Sequence, residues 1–102
     1  MMYFFCKLIP PRPTFAQDMT EMEAKVMRDH VAYWSSMAER GTAIAFGPVA
    51  DPGGTWGLGI LEVEDEKEVQ FITSNDPVMR SAIGATYKIL PMPRVVLGKK
   101  RE

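Results

Sequence analysis

Histidine and cysteine occur once each in this chain of 102 residues, as His30 and Cys6. One thiol closes no internal disulfide. With no second cysteine or nearby histidine it also anchors no thiolate metal site, so Cys6 reads as a small core hydrophobe. The sequence contains no cofactor fingerprint and no nucleophile elbow, so neither metal nor cofactor is expected. An excess of positive charge is missing too, since 12 Lys and Arg stand against 13 Asp and Glu for a net charge of -1. Without a basic stripe to neutralise phosphates, nucleic acid is not an expected partner. Residues 99–102, with Lys99, Lys100 and Arg101, read as a solvated tail. No segment approaches the roughly 20 apolar residues of a membrane span. The apolar start, Met1 to Cys6, has no preceding basic region and is too short for a signal sequence. The expectation is a cytoplasmic protein without a membrane partner.

What is present is the composition of a globular domain, 46% hydrophobic and 25% charged, with length for one core. A single domain is expected over 1–98. Met2 to Ile9 is rich in aromatic and branched residues and reads as a strand ending in the rigid loop Pro10-Pro11-Arg12-Pro13. Thr20, with Glu23 three residues on, is a capping-box start for a helix. Along it Met22, Val26, His30, Tyr33, Trp34 and Met37 trace one stripe, and Gly41 closes it. Thr42 to Val49 reads as a second strand, with Ile44 and Phe46 on one side and Ala43 and Ala45 on the other. The turn Asp51-Pro52-Gly53-Gly54 leads into a third strand, Thr55 to Glu64. Asp65 to Ser74, carrying Val69, Phe71 and Ile72, reads as a short helix broken by Asn75-Asp76-Pro77. A further turn over Val78 to Ile83 and an edge strand from Ala85 to Leu97, interrupted by Pro91 and Pro93, complete the order.

The order β-α-β-β-α-β is an α+β, ferredoxin-like arrangement with an antiparallel sheet and both helices on one face. Strands one and three take the centre. Both are apolar on both sides, so the face without helices is left uncovered, and burying each of its large side chains is worth roughly 1.5 to 3 kcal/mol. A homodimer with two sheets face to face is expected.

His30 carries the functional question, because imidazole is the side chain that changes charge near neutral pH unaided. It is either a hydrogen-bonded core histidine or the acid/base of a pocket walled by Val26, Tyr33, Trp34 and Met37. Asp76 is the best placed carboxylate to partner it, although on its sequence position alone an Asx turn or helix cap is the more ordinary explanation of Asp76. Asp51 is a weaker competitor. Arg12 suits an anionic substrate by its fork of donors. Gly47-Pro48 allows close approach of a ligand at the end of the second strand. Gly57 and Gly59 precede no helix and so form no phosphate loop.

Met27-Arg28-Asp29-His30-Val31-Ala32-Tyr33-Trp34, then Ala38-Glu39-Arg40-Gly41, Phe46-Gly47-Pro48-Val49 and Asn75-Asp76-Pro77, together resemble the YCII-related family. The likeness spans nearly the whole chain. It implies a ferredoxin-like domain of the dimeric α/β barrel type, with a His and Asp pair in a cleft, here His30 and Asp76. The residues expected to bind the substrate are Arg12, Tyr33, Trp34 and Phe46. One branch of the family eliminates chloride from a chlorinated hydroxylated aromatic. The expected function is a cofactor-independent lyase or isomerase working on a small cyclic or aromatic substrate. The alternative is a non-catalytic ligand-binding or accessory module of the same fold.

Overall fold

The computed structural model describes residues 1–101. The alternation in Met2–Ile9, strand β1, turns Phe4, Cys6 and Leu8 inward and leaves Phe5 and Lys7 on the opposite face. β1 lies between Trp56–Val63 (β3) and Thr86–Met92 (β4), and Ala43–Val49 (β2) completes the sheet in the order β2-β3-β1-β4, every pair antiparallel. Strands one and three are central, as the element order implies, and the architecture is α+β and ferredoxin-like. Two main helices, Glu21–Glu39 (α2) and Glu66–Asn75 (α3), cover one face. Their Trp34, Met37, Val69 and Ile72 close a core with Phe4, Cys6, Leu61 and Val63.

The capping box predicted at Thr20 forms. The Glu23 backbone N–H donates to the Thr20 hydroxyl at 3.1 Å, and the Thr20 N–H donates to the Glu23 carboxylate at 2.9 Å. Arg40 caps the other end, and Gly41 follows with φ +83°, a backbone that glycine adopts without strain. Met22 departs from the expected stripe and is 70% exposed. The first turn of α2 rests on Arg12, not on the sheet, so Glu23 turns inward there in place of Met22.

Three further expectations are corrected. In β2 the register shifts between Ala43 and Ala45, so Ala43, opposite Leu61, and Phe46, opposite Gly59, both face the helices. A bulge resets the alternation that strict period two assigns. In α3 the buried residues are Val69, Ile72 and Thr73, whereas Phe71 is 69% exposed. β4 stops at Met92, short of Leu97, where Pro93 offers no N–H to continue the ladder. It is an edge strand and carries Pro91, as the prolines imply.

Two short helices complete the chain. Pro77–Arg80 (α4) occupies part of the predicted turn and ends before Ala82, whose φ of +54° breaks the helix. Phe15–Asp18 (α1), read in the sequence as loop, buries Phe15 against the body. Among the described residues no helix covers the face that carries Phe5, Trp56, Leu58, Ile60 and Leu90, where Phe5 and Trp56 meet edge to face at 6.2 Å. Among the described residues no helix is long and apolar enough to cross a membrane.

Candidate functional site

Asp76 ends α3 and caps α4, and its side chain is completely buried. A carboxylate in that position requires donors, because an uncompensated buried charge is strongly disfavoured. Four are present. Oδ1 accepts from the Val78 N–H at 3.0 Å; Oδ2 accepts from the Trp34 indole at 2.9 Å and from the Tyr87 hydroxyl at 2.6 Å; His30 Nδ1 lies 2.8 Å from Oδ2 and 3.0 Å from Oδ1. The two sequence explanations of Asp76, helix cap and histidine partner, therefore hold together, one through Val78 and the other through His30.

Burial pushes the Asp76 carboxyl up, but the His30 contact and the bonds from Tyr87 and Val78 outweigh it and hold it below the ordinary carboxylate range. An ionised carboxylate only accepts, so the proton between the two residues belongs to His30 Nδ1. His30 Nε2 has no hydrogen-bond partner among the described residues, and the imidazole side chain is 12% exposed. Burial and the neighbouring Asp76 charge push the Tyr87 phenol far above its usual range, so it remains a donor. The Cys6 thiol, pushed up to about 12 by burial, is no thiolate nucleophile.

His30 opens on a cavity of about 300 Å³ between the sheet and the helices. Its floor is the bare backbone of β3 at Gly57 and Gly59. Its walls include Leu8, Trp34, Phe46 and Tyr87, and Phe15, Ala16 and Met19 of the α1 region close it from above. Gly59 has a specific reason to be glycine, since a Cβ there would overlap the Trp34 ring. That ring reaches across the sheet to Asp76 only because the space is empty.

The structure thus brings together His30, Asp76, Trp34 and Phe46 of the residues singled out in the sequence. It holds Tyr33 and Arg12 apart from them. The Tyr33 hydroxyl donates to the Ile72 carbonyl at 2.8 Å, tying α2 to α3 away from the cavity. Arg12 places its fork on Glu23 at 2.8 and 3.0 Å and its Nε on Asp18 at 2.8 Å, and lies beside a separate shallow cleft. Asp51 accepts from the Gly53 N–H and the Trp56 indole, stabilising its own turn. Among the described residues no group of three His, Cys, Asp or Glu side chains is arranged to hold a metal ion.

Tyr87 is the residue that sequence reasoning missed. Its signal was available in principle: it pairs with Leu8, whose side chain is buried, and so faces the helices. The interrupting prolines obscured that register.

The model of the YCII-related domain matches residues 2–93. The chain belongs to the YCII-related family. No curated protein matches it. Among solved structures, this YCII-related chain is similar to 5-chloro-2-hydroxyhydroquinone dehydrochlorinase from Burkholderia phenoliruptrix AC1100, in complex with 2,5-dihydroxybenzoquinone. The two are 20% identical and superpose with a TM-score of 0.61, covering 93% of this chain and 95% of the other. At that identity the likeness establishes a shared fold.

Proposed function

We propose that the cavity is the active site of a cofactor-independent lyase or isomerase acting on a small cyclic or aromatic molecule. The observation that carries this reading is the pairing of a fully buried, four-fold hydrogen-bonded Asp76 with His30, whose second nitrogen is left to the cavity. Asp76 fixes the tautomer with the proton on Nδ1 and stabilises the imidazolium once Nε2 takes up a proton. His30 Nε2 removes a proton from a C–H or O–H of the substrate. In an elimination the electron pair of that bond expels the leaving anion; in an isomerisation the proton returns to another atom of the ring. The dehydrochlorinase of similar fold supports an elimination, and the cavity volume suits one substituted ring.

The test is turnover of a panel of halogenated and hydroxylated rings, with halide release as one readout. General acid/base assistance contributes about 100-fold to 10,000-fold. His30→Gln, which keeps polarity and loses the base, is expected to lower kcat by at least about 100-fold. Turnover within a few-fold of the parent would falsify the role of His30. Tight binding of a ring with no turnover of any member by the parent would instead favour a ligand-binding module.

A further inference from the structure

The lining of the cavity narrows the ligand class. Among the described residues it contains no Lys, Arg, Asp or Glu. The nearest candidates for anion capture are occupied elsewhere: Arg12 by Asp18 and Glu23, and Lys7 over the Trp56 ring at 4.5 Å on the helix-free face. Most polar groups of the wall are also committed. The Trp34 indole and the Tyr87 hydroxyl donate to Asp76. Among the described residues this leaves His30 Nε2 and the Thr55 hydroxyl to meet a ligand, against an otherwise apolar surface of Leu8, Phe15, Met19, Met27 and Phe46.

Resting on the reading of this cavity as the substrate site, we propose that it selects neutral, sparingly hydroxylated rings bearing one acidic group for His30, and excludes carboxylates and polyhydroxylated rings. A carboxylate entering here would meet no Lys or Arg and would come near the Asp76 carboxylate that His30 already partners. Each hydroxyl beyond the one or two that His30 and Thr55 satisfy would be buried without a partner, a loss of about tenfold in affinity. An unpaired buried charge is worse, on the order of a hundredfold or more.

The experiment compares 4-chlorophenol, benzene-1,2,4-triol and benzoate as ligands of the full chain at neutral pH, by calorimetry and by NMR of the Trp34 indole and His30 ring resonances. 4-Chlorophenol is expected to bind and move both resonances, with the triol at least about tenfold weaker and benzoate at least about a hundredfold weaker. Equal or tighter binding of triol or benzoate overturns the proposal, as does 4-chlorophenol binding that leaves both resonances in place. Val31→Lys adds a cation on the exposed helix surface at the cavity edge, where Val31 is 49% exposed, so the fold is retained. This variant is expected to gain about tenfold for benzoate, and no gain overturns the exclusion by charge. Because the order of affinities is read without turnover, it stands or falls separately from the catalytic role of His30.

Discussion

At the level of single residues the site is one carboxylate surrounded by donors, and Tyr87 supplies the shortest of its bonds at 2.6 Å. Tyr87→Phe leaves the ring packed and removes that donor, while Trp34, Val78 and His30 still hold Asp76. The Asp76 carboxyl, held below its ordinary range in the folded protein, then moves upward. The sign follows: the ionised form that keeps the Nδ1 proton in place persists above the Asp76 value and is lost as pH falls through it. The acid limb of the pH–rate profile is therefore expected to begin at higher pH in Tyr87→Phe, with kcat lowered about tenfold and KM little changed. An acid limb and kcat identical to the parent would remove Tyr87 from the positioning of the pair. His30 and Asp76 were legible in the sequence because one is the sole imidazole and the other follows a helix at a Pro-fixed corner. Trp34 was legible as a pocket wall but not as a donor, and Tyr87 not at all, because their bonds to Asp76 span 42 and 11 residues and depend on how α2 and β4 are laid against each other.

Among the elements, α1 is the one that pattern reading could not anticipate. Four residues are too few to show a helical period, and the prolines before them argue for loop. What fixes the segment is Arg12, which lies apart from the cavity and clasps Asp18 at the end of α1 and Glu23 on α2. The Arg12 bonds hold the Glu23 carboxyl well down, from the usual 4.5 to about 2. A carboxyl depressed in this way contributes stability that is present above its unfolded value and is lost as pH falls through the folded one. Arg12→Gln is thus expected to melt lower than the parent near neutral pH, with the gap closing between about pH 4.5 and pH 2. Equal melting temperatures at pH 7 would show that the clasp does not hold α1. The same scale explains the other departures: a bulge in β2 reverses a face, and the exposed Phe71 and Met22 sit at helix positions with no layer beneath them. Periodicity reports which residues share a face of one element; it does not report where the neighbouring element ends.

For the molecule as a whole, a four-stranded sheet carries helices on one face and leaves Phe5, Trp56, Leu58 and Ile60 on the other without cover from a helix among the described residues. Apolar residues on both sides of β1 and β3 made this legible in the sequence, since a strand exposed on one face ordinarily alternates with polar residues. The face is expected to pair with a second copy, each large side chain buried contributing roughly 1.5 to 3 kcal/mol. Sedimentation at micromolar concentration is expected to give a dimer, and Ile60→Asp a monomer; a monomeric parent would refute this. Asp76 has a consequence that reaches beyond any one experiment. It answers to two demands at once, starting the short helix α4 through Val78 and holding an imidazole through its carboxylate. A lineage that abandoned the chemistry would still need the acid for its architecture, whereas His30, bonded to nothing but that acid, would be free to drift. Comparing descendants that keep the aspartate with those that also keep the histidine would therefore sort inherited scaffold from retained activity.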